Sequence, residues 1–291
     1  MMKGLEAMRN RYFTEEMLEL TEHPEKWRLV SSFLKPECPL IQNEKHGNWM
    51  KTHSDSHPAR EALVCFSGKA YCGFKDRIYL CDPGTVFFFD SFESHDRLYP
   101  SHYPDSVHMW LIFLNNMTVA HLYNIRGGKS SLVGSFLMKD DPSSLSFKCA
   151  WDSALEGNLP VEFQRAKIIS SFSVLLLNIA GKGYSGEKPR DDLNYKEEIF
   201  ESLMQNIRTT GGHGFNLAKT AKLAGMSKYH FHRMFRKYAG ETLHGFVDKC
   251  RLKKAAELKK KGCNMTEISD ELGFSSLSVF LRWLKAKKMV Y

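Results

Sequence analysis

The chain has 291 residues, of which 43% are hydrophobic and 25% charged. This length exceeds that of one typical domain and predicts two, each with its own core. The composition is that of a soluble globular protein. No apolar run reaches the roughly 18 residues that a membrane span requires, and the first residues lack the apolar segment of a secretory signal. A cytoplasmic protein with no membrane contact is therefore expected.

The first half of the chain is predicted to form β-strands. Short apolar or alternating runs, divided by Gly, Pro and Asp, make up EALVCFSGKAYCGF, RIYLCDPGTVFFFDSF and SVHMWLIFL. Such runs with glycine turns are typical of a small antiparallel barrel or sandwich. Cys65, Cys72 and Cys81 lie in these segments, and the seven cysteines include no C-x-x-C pair and no zinc-finger spacing. We expect these three thiols to pack as small hydrophobic groups in a reducing cytoplasm.

Helical periodicity replaces the strand pattern from about Pro142. The segment PVEFQRAKIISSFSVLLLNIAG begins at Pro160, ends at Gly181 and has its apolar residues at helical spacing. This helix either packs against the β-rich half or mediates dimerisation, and the sequence leaves both interpretations open. The next segment, GKGYSGEKPRDD, has the composition of a linker. The sequence thus predicts an α+β multidomain protein with one domain over residues 1–185 and a second, all-α domain over residues 186–291.

Positive charge is concentrated in the C-terminal part of the chain. Residues 212–291 contain 17 Lys and Arg against 6 Asp and Glu, whereas residues 1–211 contain 24 against 27. Because only one part is basic, we expect that part to bind a polyanion.

The basic part contains an internal repeat. NLAKTAKLAGMS, from Asn216, aligns with NMTEISDELGFS, from Asn264. Each copy begins with a capping Asn, has a small residue four positions before a Gly, and ends on a helix-capping Ser. A short helix, a glycine turn and a second capped helix are typical of a helix-turn-helix unit. The helix predicted between the two units is about 28 Å long, which lets both second helices reach successive major grooves about 34 Å apart.

The second helix of the first unit is predicted to have two different faces. In SKYHFHRMFRKYAG, an apolar stripe is formed by Phe231, Met234, Phe235 and Tyr238. At about 100° per residue, the opposite face carries Tyr229, His232, Arg233 and Arg236. Such a helix is either a solvated basic helix or contacts an anionic partner.

Two segments of this part resemble the DNA-binding domain of AraC-type bacterial transcription regulators: AKLAGMSKYHFHRMFRKYAGETLHGFVDKCRLKKAAELKKKG and MTEISDELGFSSLSVFLRWLK. They cover roughly a third of the chain. The resemblance implies binding to double-stranded promoter DNA, with Tyr229, His232 and Arg233 at the bases. The further DNA-binding candidates beside them, for bases or phosphates, are Lys228, Arg236 and Lys237.

The second helix of the second unit departs from the family pattern. Apolar residues stand where the family commonly has polar or small ones, namely Leu277, Val279, Leu281 and Trp283. The outward polar positions are then Ser278, Arg282 and Lys285, which completes the set of DNA-binding candidates. This pattern favours phosphate contact over base reading for the second unit.

The N-terminal half resembles the cupin-like sensor domain that commonly accompanies this DNA-binding domain. The resemblance lies in the strand pattern, in LCDPGTVFFFDSFESH and in HMWLIFL. It implies a cupin-like antiparallel β-barrel with flanking helices. The histidine and carboxylate positions of the cupin motifs fall on His53, His57, Glu61 and His95. These four residues are the candidates for effector binding; the same set could hold Zn, Fe or Mn, but we expect a small-molecule pocket with no metal or other cofactor.

The sequence predicts a DNA-binding transcription regulator and not an enzyme. The family implies a small-molecule effector, such as a sugar or related metabolite, a homodimer, and RNA polymerase as a further partner. One alternative is a metal-dependent cupin enzyme or metal sensor with an appended DNA-binding domain. Another is an architectural DNA-binding protein that senses nothing.

Overall fold

The computed structural model describes residues 15–56, 59–96, 99–114, 116–184, 193–215, 217–223 and 226–287. The chain divides into two compact units, Met1–Asp191 and Asp192–Tyr291. The boundary predicted between residues 185 and 186 falls in the stretch 185–192, outside the described residues. Among the helices that the structure describes, none combines the length and apolar character needed to cross a membrane.

The described part of the first unit contains ten strands, four α-helices and one short 3₁₀ helix, Pro24–Lys26. The helices are α1 (residues 15–22), α2 (Glu44–His53), α3 (Pro142–Glu156) and α4 (Val161–Tyr184). The strands are β1 (Arg28–Val30), β2 (Ser54–Asp55), β3 (Arg60–Ser67), β4 (Ala70–Phe74), β5 (Arg77–Cys81), β6 (Thr85–Phe89), β7 (His95–Asp96), β8 (Ser106–Phe113), β9 (Met117–Arg126) and β10 (Lys129–Lys139).

These strands form two sheets. The larger has the order β1-β6-β3-β8-β9-β10 and the smaller β2-β7-β4-β5. Neighbouring strands are antiparallel except β1 and β6, which run parallel. In the smaller sheet, β7 pairs with β2 so that His95 lies opposite Asp55.

Both faces of the larger sheet are buried along its central strands β3, β6 and β8. Alternate residues of a strand point to opposite faces, so each of these strands contributes to two cores. In β3, Ala62 and Val64 belong to a core shared with α3 and α4. Leu63 and Cys65 of the same strand belong to a second core, shared with the smaller sheet. The first unit is therefore built of three layers: the smaller sheet, the larger sheet and the helices α3 and α4.

The prediction of a closed barrel is not confirmed. Among the described residues, the edge strands of the larger sheet, β1 and β10, pair with neither edge strand of the smaller sheet. A barrel encloses one interior, whereas the larger sheet covers two separate cores, one on each face. The β-rich half is therefore two open, stacked sheets.

The predicted helix from Pro160 to Gly181 corresponds to α4, which begins at Val161 and extends to Tyr184. Six of its large apolar residues are buried: Ile168, Ile169, Phe172, Leu175, Leu176 and Ile179. Phe163, also apolar, is 68% exposed. One face of α4 thus packs in the first unit, while Phe163 belongs to the outer face.

The three strand cysteines are buried, as expected from their apolar surroundings. Cys65, Cys72 and Cys81 are each at most 2% exposed. Burial raises the pKa of the Cys65 thiol to about 12 and shifts the pKa of the other two well above the usual value. Because the thiolate is the reactive form, these groups serve as packing.

The second unit is helical throughout its described residues. Its elements are α5 (Leu193–Thr210), α6 (Leu217–Leu223), α7 (Lys228–Ala239), α8 (Leu243–Lys260), α9 (Met265–Glu271) and α10 (Leu277–Ala286). The pairs α6–α7 and α9–α10 are the two predicted helix-turn-helix units, and α8 is the predicted connecting helix. Asn216 and Gly225, a predicted cap and a predicted turn residue, lie outside the described residues.

The two helix-turn-helix units pack on different parts of α8. Phe246, near its start, contacts Phe235 of α7 with ring centroids 5.7 Å apart. Ala255, towards its end, belongs to a cluster with Ile268 of α9 and Phe280 of α10. With 18 residues α8 is about 27 Å long, so it holds the two helix-turn-helix units apart as one rigid spacer.

Candidate functional site

The backbone of α7 is fixed at both ends by local chemistry. The Ser227 side chain accepts a hydrogen bond from the backbone N–H of His230 at 3.3 Å, which is an N-cap. The helix ends at Gly240, whose φ of 72° is left-handed and therefore favours glycine, which has no Cβ. The serine cap was predicted from the sequence, and together the two caps fix where α7 begins and ends.

The inner face of α7 is aromatic and fully buried. Phe231 and Phe235 are 0% exposed. Their rings lie 5.2 Å and 6.1 Å from the ring of Phe200 in α5. This packing removes any freedom of α7 to rotate about its axis, so the outer face is a defined surface.

The outer face of α7 carries the residues that the sequence predicted for it. Tyr229 is 91% exposed, an extreme value for an aromatic side chain in a folded unit. The remaining predicted residues of this face are also exposed: Lys228, His232, Arg233, Arg236 and Lys237. The surface therefore offers hydrogen-bond donors, a flat ring and positive charge together.

The positive charges of this face are not neutralised. In the described part of the second unit, carboxylates pair with Lys249 and Lys287, at 2.9 Å and 2.5 Å. Neither Arg233 nor Arg236 pairs with a carboxylate there. An Arg without an internal acceptor keeps its guanidinium donors for a partner.

In the second helix-turn-helix unit, α10 begins one residue later than the internal repeat predicted. The cap is Ser276, whose side chain accepts from the N–H of Val279 at 3.4 Å, and not Ser275. The turn glycine, Gly273, has the expected positive φ, 72°. The second helix of this helix-turn-helix unit therefore begins at Leu277, four residues after the turn glycine Gly273.

The inner face of α10 is filled by Phe280, Leu284 and Trp283. Phe280 and Leu284 are buried, and Trp283 lies against Phe274 with ring centroids 5.2 Å apart. The Trp283 indole N–H also donates to Asp248 Oδ1 of α8 at 2.9 Å. Thus Trp283, one of the four unusual apolar residues, has a structural role.

The outer face of α10 mixes polar and apolar groups. Its three predicted polar residues, Ser278, Arg282 and Lys285, are exposed. Val279 and Leu281 are exposed as well, at 39% and 45%. Both residues depart from the family pattern in the sequence, and their exposure makes them candidates for contact.

Two of the four predicted effector residues meet between the sheets. Glu61 of β3 and His95 of β7 are 8% and 4% exposed, and Glu61 Oε2 lies 3.1 Å from His95 Nε2. The His95 Nδ1–H donates to the carbonyl of Glu93 at 2.9 Å, which orients the ring. Phe89 stacks on that ring at 4.2 Å. The pair links the two sheets through a polar contact inside an aromatic environment.

The other two predicted residues are not joined to this pair. His53 is the last residue of α2; its Nδ1–H donates to the Trp49 carbonyl at 2.9 Å, and its ring stacks on Trp49 at 4.6 Å. His57 lies outside the described residues. Among the residues that the structure describes, no group of three or more His, Cys, Asp and Glu has the geometry to hold a metal ion.

A polar chain between the sheets was missed by the sequence reasoning. The Trp110 indole N–H donates to Tyr99 Oη at 2.9 Å, and Tyr99 Oη lies 3.1 Å from His108 Nδ1. Burial lowers the pKa of His108 to about 3, so its ring is neutral. Its Nε2 has no hydrogen-bond partner among the described residues. The available signal was a histidine and a tryptophan two residues apart in β8, which places both on one face of the strand.

Comparison with known proteins supports the presence of helix-turn-helix motifs in the helical second unit. A family model described as a helix-turn-helix domain matches residues 220–289. The probable transcription factor PqrA of Proteus vulgaris is 37% identical over 92 residues, which are 31% of this chain and 75% of PqrA. The chain belongs to the AraC-type family of transcription regulators. The predicted class of DNA-binding transcription regulator is thereby confirmed at the level of the family.

Two further similarities are more limited. The HTH-type transcriptional activator Btr of Bacillus subtilis is 30% identical over 83 residues, 28% of this chain and 16% of Btr. This family member therefore spans only a small part of that relative's length. The crystal structure of ToxT from Vibrio cholerae O395 is 16% identical over 80% of this chain and 91% of ToxT, with a TM-score of 0.24. That score supports no inference about architecture.

Proposed function

We propose that this protein is a sequence-specific regulator that binds double-stranded promoter DNA with the outer face of α7 in the major groove. The observation that carries the proposal is that Tyr229, His232 and Arg233 lie exposed on one face while Phe231 and Phe235 hold the opposite face fully buried. A helix with one immobile inner face and unpaired cationic donors outside has the shape and charge that groove binding requires.

Each residue of the face has a specific chemical role in this proposal. Arg233 donates two parallel hydrogen bonds to O6 and N7 of a guanine. His232 bonds a base edge, and the ring of Tyr229 contacts a base or the sugar backbone beside it. Phosphates are bound by Lys228, Arg236 and Lys237, which supply salt-dependent affinity without sequence information.

The test is a titration of duplex DNA with the full chain. A preferred duplex is first selected from a random library, and the wild type is then compared with Arg233→Ala and Arg233→Lys. The alanine variant is expected to lose about 1–3 kcal/mol of binding free energy and part of its preference over random DNA. The lysine variant keeps the charge but not the two-pronged donor geometry, so it should retain general affinity and lose preference.

Two results would contradict the proposal. If Arg233→Lys keeps the full preference of the wild type, Arg233 contacts only phosphate. If the wild type itself binds no duplex more tightly than random DNA at two salt concentrations, α7 is a solvated basic helix. The proposal of a sequence-specific regulator is then wrong.

The predicted effector-binding domain, over residues 1–185, is proposed to bind the small-molecule effector between its two sheets. The buried Glu61–His95 pair and the neutral His108 support this, because they place polar groups among aromatic rings, the lining that small-molecule sites prefer. Thermal-shift screening with a panel of sugars tests it: a ligand of the native state raises the midpoint. A shift that persists unchanged in Glu61→Gln contradicts the assigned location.

A homodimer is proposed through the outer face of α4. Phe163, Val174 and Leu177 are 68%, 50% and 41% exposed there, and Phe163 and Leu177 are two heptads apart. Sedimentation should show a dimer for the wild type and a monomer for Leu177→Glu. Leu132→Glu, at an exposed position on β10, is the matched control that should stay dimeric. The dimer acts in the cytoplasm, where effector binding changes how its DNA-binding domains, over residues 186–291, meet the promoter and RNA polymerase.

A further inference from the structure

The two second helices, α7 and α10, can be aligned by their observed caps and cores. Ser227 caps α7 and Ser276 caps α10. From these caps, Phe231 and Phe280 occupy the same buried position, and each residue of α7 corresponds to the residue 49 positions later in α10. In this alignment the predicted base-contacting residues Tyr229, His232 and Arg233 correspond to Ser278, Leu281 and Arg282.

Leu281 therefore occupies the place that His232 has on α7. It is 45% exposed, and it takes no part in the cluster that Phe280 and Leu284 form with α8 and α9. At about 100° per residue, Leu281 lies on the same side of α10 as Ser278 and Lys285, whereas Val279 lies on the opposite side. The exposed leucine thus lies at the border of the outer face, next to Ser278 and Lys285 and outside the buried cluster.

The charges around Leu281 fit DNA as its partner. The residues of α10 include Arg282 and Lys285 and no Asp or Glu. Neither of the two is paired with a carboxylate in the described part of the unit, where Asp248 binds Lys287 instead. An apolar side chain beside two unpaired cations suits a partner surface that is anionic at its rim and has one apolar group within it.

In the major groove, that apolar group is the 5-methyl of thymine. We propose that Leu281 contacts a thymine methyl, so that α10 selects a thymine in the second half-site while Arg282 and Lys285 hold the flanking phosphates or bases. This inference rests on the proposed DNA binding and deepens it. It also revises the expectation that the second helix-turn-helix unit mainly contacts phosphates.

The test uses the duplex selected by the full chain, with the thymines of both half-sites replaced one at a time by deoxyuridine, which removes only the methyl group. For the wild type, at least one replacement in the second half-site should weaken binding about fourfold, the factor expected when one methyl-sized group is no longer buried. In Leu281→Ala the same replacement should have no effect. Val279→Ala, an exposed apolar residue on the other side of α10, is the matched control and should keep the wild-type ratio.

Two results overturn the inference. One is an equal affinity of the wild type for thymine and uracil at every position of the second half-site. The other is a thymine preference that Leu281→Ala retains; unchanged DNA affinity with reduced transcription in that variant would indicate a protein partner instead. Failure to select any duplex would contradict the proposed function itself, and is distinguishable because then no half-site exists to substitute.

Discussion

Helices α7 and α10 share one backbone plan and differ in what they expose. Each begins at a serine cap, buries a phenylalanine four residues after the cap, and packs on α8. Outside, α7 presents Tyr229 and His232 where α10 presents Ser278 and Leu281. The comparison teaches that the inner residues fix the fold of a helix-turn-helix unit, while the outer residues are free to specify different partners or bases.

The largest expected effect comes from breaking the core under one of the two helices. Phe280 is 1% exposed, between Phe274 and Trp283. Phe280→Ala should lower the free energy of unfolding by about 3–5 kcal/mol, because a buried ring leaves a cavity. Urea denaturation of the full chain measures it. Leu281→Ala, the exposed neighbour, should change stability by less than about 0.5 kcal/mol; comparable losses would show that Leu281 belongs to the core.

A second prediction concerns the turn that sets α10 against α9. Gly273 has a φ of 72°, and a Cβ there would lie 2.4 Å from His213 Cδ2. Gly240, after α7, has the same φ but open space around it. Gly240→Ala should therefore cost about 1–2 kcal/mol from backbone strain alone. Gly273→Ala should cost at least about 1 kcal/mol more, since the clash adds to the strain.

Thermal or urea unfolding of both glycine variants gives the difference. Equal costs would mean that His213 moves aside without penalty. In that case the close approach of His213 would contribute nothing to fixing the second unit.

A third prediction tests the register on which the alignment of α7 and α10 depends. Ser276→Ala removes the observed cap and should cost about 1 kcal/mol. Ser275→Ala, one residue earlier and also exposed, should be nearly neutral. If the two costs are reversed, Ser275 is the cap and α10 begins at Ser276. His232 would then correspond to Phe280 and not to Leu281, although Phe280 is buried.

The smallest effect separates phosphate contact from base contact on the two helices. Lys228→Ala on α7 and Lys285→Ala on α10 should each weaken DNA binding equally for all sequences. Each should also reduce the slope of log affinity against log salt by about 1. Lys249→Ala, whose ammonium pairs with Glu241, is the control and should leave the slope unchanged. A slope that only Lys228→Ala alters would mean that α10 stays away from the phosphates.

Local signals predicted the helical unit well. The caps Ser227 and Asn264 and the turn at Gly273 are formed by residues next to one another in the chain, and the structure has each of them. The connecting helix α8 follows from continuous periodicity. The cap of α10 was predicted one residue too early, because two adjacent serines, Ser275 and Ser276, satisfy the same local pattern and only the packing of Phe280 decides between them.

Long-range contacts account for the other errors. The strands were expected to close into a barrel, but pairing between distant strands and the cover provided by α3 and α4 give two open sheets. Glu61 and His95 were predicted as site residues and do meet, whereas His53 stacks on its own helix. The chain from Trp110 through Tyr99 to His108 joins a strand to a loop, and the sequence shows only the two-residue spacing of its strand members and not the contact with Tyr99.

The sequence by itself determined that this protein has a basic, tandem helix-turn-helix part and a β-rich part, because periodicity, caps and charge are properties of neighbouring residues. It also placed Tyr229, His232 and Arg233 on one helix face, since a helix has a fixed angle per residue. Only the tertiary structure decided which apolar residues of α10 are buried and which are exposed. That choice depends on how much of the helix α8 and α9 cover: Trp283 finds a partner in Asp248, and Leu281 is left at the surface.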